Sequence, residues 1–159
     1  MSIVKGSRVQ GPGARVIVKN TNKRFGLNER FIKKIVLKIL EILRKPQNTK
    51  LEIIFLDNKT IRSINKKYKH RNSSTDVLSF DLGSCGQILI SSDTALKNTR
   101  IFKTSFEKEI VLYIIHGILH LFGYEDETSY EKKRMSKKEN NILEKICATV
   151  ILSKVLTRR

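Results

Sequence analysis

The sequence has few acids, few cysteines and no long apolar run, and each shortage excludes a class of protein. Its 15 Asp and Glu residues oppose 32 Lys and Arg residues. Cys85 and Cys147 lie far apart without disulfide or metal spacing, so we expect two reduced cytosolic thiols. No apolar run reaches the ~18–20 residues that span a bilayer, and Lys5 and Arg8 flank no signal-type segment. We therefore expect a cytoplasmic protein that is not inserted in a membrane.

What the chain does contain is a core and a large positive charge. Its 159 residues suit one domain, and 40% of them are apolar, which excludes a wholly disordered chain. The formal net charge is +17. A cation of this size binds phosphate, most often in nucleic acid, with an anionic membrane surface as the second choice.

Apolar periodicity predicts one α+β domain over residues 14–159, after a flexible leader at residues 1–13. Strands are predicted at 15–20, 51–56, 77–80 and 87–90. Helices are predicted from Asn28 to about 43, over 59–69, from Ser91 or Ser92 to about 99, over 106–122, and from near 128 past 147. We expect one small mixed four-stranded sheet packed against about five helices.

Two of the three histidines, His116 and His120, lie four residues apart in the most apolar predicted helix. Positions i and i+4 share a helix face, so both imidazoles can reach one metal ion. The helix stops at Gly123, and an acidic turn, residues 125–127, can return a carboxylate to the pair. Two histidines and one carboxylate form a common catalytic zinc set and also suit iron or manganese. The alternative for these acids is a solvated turn that opens the next helix.

The residue between the histidines argues against one kind of zinc enzyme. Helical zinc proteases place a glutamate directly after the first histidine, where it activates water. Gly117 occupies that position here and has no side chain to do so.

The segment from His116 to Asp126, HGILHLFGYED, resembles the signature H-G-x-L-H-L-x-G-Y-D-H of the YbeY family of bacterial endoribonucleases and ribosomal RNA maturation factors. Further stretches resemble family segments in the same order, and together they extend from about residue 50 to 145. They are I-N-x-x-Y-K at 64–69, S-T-D-V-L-S-F at 74–80, G-Q-I-x-I-S at 86–91 and M-x-x-x-E-x-x-I-L at 135–143.

The resemblance implies a metal-dependent, single-strand-specific endoribonuclease that acts in maturation of the 3′ end of small-subunit ribosomal RNA and in ribosome quality control. It implies that His116, His120 and Asp126 hold one divalent ion, zinc first, with manganese or iron as alternatives. Lys69 matches the family's arginine and would stabilise charge on the phosphoryl group. Asp76 would orient a histidine or a water, so that Lys69, Asp76 and His116 form the catalytic set.

Four departures from the family pattern keep other functions open. Asp126 replaces a histidine and lowers the residual charge of a zinc site from two to one, so bound water is less activated. Lys69 loses the bidentate fork of arginine, while Ser74 and Gln87 replace a proline and an acid. A second hypothesis is therefore a weakly or non-catalytic ribosomal-RNA- or ribosome-binding assembly factor that retains the fold. A third is a metal-dependent hydrolase with another substrate, against which the charge of +17 argues.

The segment 59–71 has six cationic residues and no acid, and we expect RNA contacts there: Lys59, Arg62, Lys66, Lys67, Lys69 and Arg71. The expected partners are ribosomal RNA and the small ribosomal subunit or its precursor, with no preference for DNA. Four nearby side chains are expected to have no part in the chemistry. Tyr68 could stack a base, but its helical spacing favours a buried core position. Met135 should pack below the site, Glu139 should be a surface or salt-bridging residue, and His70 should be exposed.

Overall fold

The structure is a computed structural model that describes residues 13–45 and 47–157, so the predicted leader lies outside the described residues except for Gly13. The elements follow in the order β1 (Arg15–Asn20), α1 (Glu29–Ile42), β2 (Lys50–Leu56), α2 (Asn58–Lys69), β3 (Val77–Asp81), β4 (Gly86–Ser91), α3 (Ser92–Phe102), α4 (Phe106–Leu121) and α5 (Ser129–Thr149). A 3-10 turn, Leu152–Val155, follows α5. The predicted α+β architecture, with four strands and five α-helices, is confirmed.

The four strands form one mixed sheet in the order β1-β2-β4-β3. β1, β2 and β4 are parallel, and β3 runs antiparallel to β4 at one edge. Parallel neighbours need a crossover connection, which α1 supplies between β1 and β2. The connection from β2 to β4 contains α2 and then β3, so the antiparallel edge strand is part of that crossover.

Polar side chains fix the beginning of every α-helix in the described part of the chain. Each N-cap oxygen accepts a hydrogen bond from a backbone N–H in the first turn and satisfies a donor that the helix leaves unpaired. These N-caps are Asn28, Asp57, Ser91, Ser105 and Thr128, and Thr128 also forms a capping box with Glu131. The helix start predicted at Asn28 is therefore confirmed, and of the two caps considered for α3, Ser91 and Ser92, the cap is Ser91.

Both faces of the sheet are covered, but by unequal layers. Inward residues such as Ile53 and Ile88 join α1, α4 and α5 in the main core. Leu78 and Leu89 point to the opposite face and pack against Ile61 of α2 in a smaller cluster. α4 is apolar on nearly all sides because the sheet, α1, α3 and α5 all contact it. Within the described residues, no helix combines the length and the apolar character required to cross a membrane.

The prediction that Tyr68 is a core residue is wrong. Its side chain is 57% exposed, although Ile61 on the same helix is fully buried. The last turn of α2 lies beside the edge strand β3, where the Tyr68 ring makes an edge contact with Phe80 at 5.7 Å between centroids. The sheet ends there, so no further strand covers the tyrosine.

Candidate metal centre

The helix α4 carries both histidines, and its backbone packs directly on the sheet at Gly117, which lies between them. A Cβ atom added at Gly117 would lie 2.6 Å from Cγ2 of Ile88 on β4. Ser79 on β3 also donates its hydroxyl to the carbonyl of Gly117, at 3.1 Å. The glycine that argues against a protease motif is thus required by close packing, and it fixes the height of His116 and His120 above the sheet.

A tight reversal after α4 returns the chain toward the two histidines. Gly123 has φ +88°, in the left-handed region that glycine adopts without strain. Its N–H donates to the carbonyl of His120 at 3.0 Å, and the N–H of Tyr124 donates to the carbonyl of Leu119 at 3.0 Å. These bonds satisfy the end of the helix and bring Asp126 beside the imidazoles.

Three side-chain atoms converge at this reversal. The Nε2 atoms of His116 and His120 are 2.9 Å apart, and Oδ2 of Asp126 lies 3.6 Å and 3.5 Å from them, respectively. In the described part of the chain, these three residues form a group of His and Asp side chains whose ligand atoms lie within 4.8 Å of one another and could hold a metal ion. The histidine side chains are each 24% exposed and that of Asp126 is 41% exposed, so the cluster is open on one side.

The donor triangle fits a small divalent ion. Metal–ligand bonds of about 2.0–2.2 Å at tetrahedral angles place neighbouring donors about 3.3–3.6 Å apart. The two edges to Asp126, 3.6 and 3.5 Å, fall in that range, and the edge between the two imidazoles is shorter at 2.9 Å. Two imidazole nitrogens and one carboxylate oxygen suit zinc, and also manganese or iron. The group could therefore hold one metal ion and leave a position open toward the cleft.

Glu139 is bonded to the cluster rather than confined to a surface role. This residue of α5 pairs its Oε1 with Nδ1 of His116, and only 14% of its side chain is exposed. A carboxylate that accepts the Nδ1 proton leaves the lone pair of neutral His116 on Nε2, the atom that faces the cluster. An ion pair was one of the alternatives expected for Glu139, but its partner was not. The available signal was its spacing of four from Met135, which is buried as expected.

The electrostatics of the cluster favour a positive charge. Burial lowers the pKa of His116. The hydrogen bond and charge of Glu139, together with the charges of Asp76 and Asp126, raise the pKa by more than burial lowers it. The net pKa therefore lies above the usual value for histidine. The carboxylates that raise the pKa of this imidazole would also attract a metal cation to the same atoms.

The cluster of His116, His120 and Asp126, called the metal cluster below, forms part of a cleft of about 710 Å³. The cleft lies between the end of α4, the edge strand β3 and the segment that follows α2. Lys69, Arg71 and Asp76 line this cleft with the histidines. Asn65 is 3% exposed and donates its amide to the carbonyl of Ser73 at 2.9 Å, which anchors the segment that leads to Asp76. The cleft thus unites all the residues proposed for metal binding and catalysis.

Asp76 has its own fixed position in this cleft. Its Oδ1 accepts hydrogen bonds from the N–H of Val77 at 2.8 Å and from the Thr75 hydroxyl at 3.2 Å. The backbone carbonyl of Asp76 accepts from the N–H of Ser91, which ties this end of β3 to β4. The carboxylate therefore caps its own turn and also adds negative charge near His116.

The other residues predicted to bind RNA lie outside the cleft. Lys59, Arg62 and Lys66 line a neighbouring groove of about 490 Å³ on α2. Lys67 places its Nζ 5.1 Å from the centroid of the Tyr68 ring. His70 is exposed, as expected, at the left-handed C-cap of α2. The grooves meet at Ser74, which lines both.

Together these features define a small α+β protein with a candidate mononuclear metal site, built from a helical His-x-x-x-His pair and a carboxylate after a glycine turn. A sequence model of the family described as Endoribonuclease YbeY matches residues 17–147. The chain belongs to the YbeY family.

Curated relatives agree with this assignment. A protein named Endoribonuclease YbeY from Thermoanaerobacter sp. is 31% identical over 138 residues, which covers 74% of this chain and 87% of the relative. One of the same name from Clostridioides difficile is 34% identical over 130 residues, covering 74% and 85%. One from Aquifex aeolicus is 37% identical over 107 residues, covering 62% and 71%.

The fold also matches a solved structure. The solution structure of a Thermotoga maritima protein is similar with a TM-score of 0.62 and 26% sequence identity. The match covers 84% of this chain and 89% of that protein. The overall fold is therefore similar to that of an experimentally determined structure.

Proposed function

We propose that this chain is a metal-dependent endoribonuclease that cleaves unpaired RNA. The observation that carries the proposal is the convergence of His116, His120 and Asp126 in an open cleft of a YbeY-family chain. Relatives 31–37% identical to it are named endoribonucleases. The net charge of +17 suits a polyanionic substrate.

The three clustered residues would hold one divalent ion, with zinc preferred and manganese or iron as alternatives. Such an ion supplies Lewis-acid polarisation of a phosphoryl oxygen and makes water more acidic. His116 presents Nε2 because Glu139 holds Nδ1, and His120 presents Nε2 from one helical turn further on. Asp126 supplies the single negative charge among the proposed ligands, which lowers the charge of the loaded site relative to three histidines.

Lys69 and Asp76 would act on the phosphoryl group from the other side of the cleft. Lys69 is exposed at the last turn of α2 and lines the cleft, where its ammonium would stabilise the negative charge that develops on the phosphoryl oxygens. Asp76, held by the N–H of Val77, would orient the attacking water or a histidine. Lysine provides a point charge and lacks the fork of arginine, so we expect a slower reaction than an arginine would give.

The preference for unpaired RNA rests on an exposed tyrosine that contacts the partly buried Phe80 beside the cleft. Tyr68 presents a 57% exposed ring against the edge of Phe80, and Lys69 places its Nζ 5.9 Å from the Phe80 centroid. Unpaired bases can stack on such a ring, whereas bases inside a duplex cannot reach it. The backbone of the same strand would then lie beside Lys69 and enter the cleft.

The substrate that we propose is ribosomal RNA, cut during maturation of the 3′ end of the small-subunit RNA and during ribosome quality control. The partner would be the small ribosomal subunit or its precursor, in the cytoplasm. Family membership and the basic α2 face of Lys59, Arg62 and Lys66 support this choice. That face would contact phosphates beyond the cleaved bond.

The test is an RNA cleavage assay with and without added Zn²⁺ or Mn²⁺, on the wild type, His120→Ala and a matched His70→Asn variant. His70 is the histidine outside the cleft, and asparagine tolerates its φ of +56°. We expect metal-dependent cleavage by the wild type and His70→Asn and none by His120→Ala. Equal cleavage by all three preparations would indicate a contaminating nuclease and contradict the proposal.

The substitution of Asp126 for the family's histidine favours one alternative, a weakly or non-catalytic assembly factor that binds ribosomal RNA. RNA binding that persists in His120→Ala, together with no metal-dependent cleavage by the wild type, would support that alternative. Asp126→His restores the family's three-histidine set and separates the two functions. A gain of cleavage in this variant would assign the weak activity to Asp126.

A further inference from the structure

The cleft that holds His116, His120 and Asp126 has a net negative lining. Its lining has two cations, Lys69 and Arg71, against five carboxylates, a formal charge of −3 with neutral histidines: Asp76, Asp81, Glu125, Asp126 and Glu127. One divalent ion would reduce this to −1. Such a lining repels phosphodiesters, so we expect most of the affinity for RNA to come from surfaces outside the cleft.

One such surface lies on α5, outside the residues that are expected from the sequence to contact RNA. A groove of about 990 Å³ follows its outer side and has five cations against the single acid Glu144, a formal charge of +4: Lys132, Lys133, Arg134, Lys137 and Lys138. Within the described residues, none of the five forms an ion pair with a carboxylate. Their charge is therefore available to a ligand.

The α5 groove and the cleft lie on opposite sides of one short loop. Gly123 and Glu125 line the cleft, and Tyr124 between them lines the α5 groove. Arg134 places its guanidinium carbon 5.0 Å from the centroid of the Tyr124 ring, which joins the groove to the loop. A strand that crosses the loop next to the metal cluster would therefore enter the α5 groove directly.

The inner side of the same helix holds the cluster. Glu139 of α5 pairs with His116, and the buried Met135 lies one turn before it. α5 is consequently fixed against the site on one side while its cations face outward. A polyanion bound to that outer side would be held at a constant position relative to His116.

We propose that the outer face of α5, together with Tyr124, is a second RNA-backbone-binding surface that holds the substrate beyond the metal cluster. This proposal rests on the proposed RNA substrate. It requires the α2 groove and the α5 groove to flank a negatively charged cleft, so that RNA is held on both sides of the bond to be cleaved. The groove lining contains no aliphatic side chain, and Ser136, Asn140 and Asn141 add neutral hydrogen-bonding groups. An RNA backbone fits this lining better than a lipid surface, which binds helices through exposed apolar residues.

The test measures binding of oligouridine by fluorescence anisotropy, over a range of salt, in a His120→Ala background that does not cut the probe. Lys133→Gln/Lys137→Gln removes two cations of the α5 groove, and Lys33→Gln/Lys34→Gln removes two exposed cations of α1 as a matched control. The slope of log K against log salt is negative, and each lost phosphate contact reduces its steepness by about 0.7 on single strands. We expect the slope of the α5 variant to be less steep by about 1.4 and that of the α1 variant to be unchanged. Equal slopes for the two variants would overturn the proposal.

A length series locates the effect. With oligomers of about 4 to about 16 nucleotides, the α5 variant should lose affinity only for the longer probes, because short ones fill the cleft and α2 alone. A variant with arginine at both positions should bind like the parent, which controls for folding. An α5 variant that binds every RNA normally but no longer binds anionic lipid vesicles would assign the surface to a membrane and overturn the proposal. Reduced RNA binding by the α5 variant, in a protein whose wild type cuts no RNA, would retain this surface and reject the nuclease.

Discussion

Glu139→Gln is the substitution that tests most sharply how the metal centre is held. The structure pairs the Glu139 carboxylate with Nδ1 of His116, whose Nε2 faces His120 and Asp126. Glutamine keeps the size of the side chain and an oxygen that can accept the Nδ1 proton, but it removes the negative charge. Loss of a carboxylate bonded to a metal-binding histidine typically costs 10–100-fold in metal affinity, or about 1.4–2.8 kcal/mol.

The assay is competition for Zn²⁺ with a chromophoric chelator at fixed pH. Glu144→Gln is the matched control, because Glu144 lies on the same helix but is exposed and does not contact His116. We expect about 10–100-fold weaker zinc binding for Glu139→Gln and no change for Glu144→Gln. Apparent affinities within about twofold of each other would mean that Glu139 does not act through His116, and the assignment would be wrong.

Three further predictions concern RNA binding, stability and packing. Tyr68→Ala should weaken the binding of single-stranded RNA by about 5–150-fold, because one base stacked on an aromatic ring contributes about 1–3 kcal/mol. Phe102→Ala removes a similarly exposed ring elsewhere and should leave the binding unchanged. Equal losses for the two variants would reject stacking on Tyr68. Asp57→Ala removes the N-cap of α2 and should lower the free energy of unfolding at pH 7 by about 1 kcal/mol. The hydrogen bond that Asp57 accepts from the N–H of Thr60 lowers the pKa of its carboxyl group. The stabilisation is therefore fully present above the usual pKa of aspartate and should vanish as the pH falls through the lowered pKa. A difference in unfolding free energy between wild type and variant that persists in acid would contradict the cap. Gly117→Ala should gain about 1 kcal/mol of helix propensity but lose about 1–3 kcal/mol to overpacking on β4, so its melting temperature should be unchanged or lower, and a clear rise would refute the close contact.

Most of the fold could be predicted from local patterns, because the caps and the apolar spacing that begin and end its helices lie within a few residues of one another. Asn28 and Ser91 cap helices as expected, and Gly123 ends α4 in a left-handed conformation. The sheet order β1-β2-β4-β3 could not be predicted, since strand neighbours depend on long-range packing rather than on local periodicity. Tyr68 shows the same limit: its helical spacing indicated an inner face, but only the position of the sheet edge determines that the ring is exposed.

The candidate site was predicted where chemistry and spacing coincide. The interval of four between His116 and His120 places both on one helix face, and the resemblance identified Asp126 among three neighbouring acids. The partner of Glu139 could not be predicted because α5 meets α4 only in the tertiary fold. The negative charge of the cleft could not be predicted either, because its acids come from the segments around Asp76, Asp81 and the 125–127 turn, which are distant in sequence.

The metal content of the purified protein decides whether His116, His120 and Asp126 form a metal site. The measurement is elemental analysis of wild type and His116→Ala, both freshly purified at neutral pH without chelator. We expect about one divalent ion per chain in the wild type, with zinc preferred, and almost none in the variant. A wild-type protein without bound metal that also fails to take up Zn²⁺, Mn²⁺ or Fe²⁺ in solution would contradict this expectation, as would a variant that retains the full content.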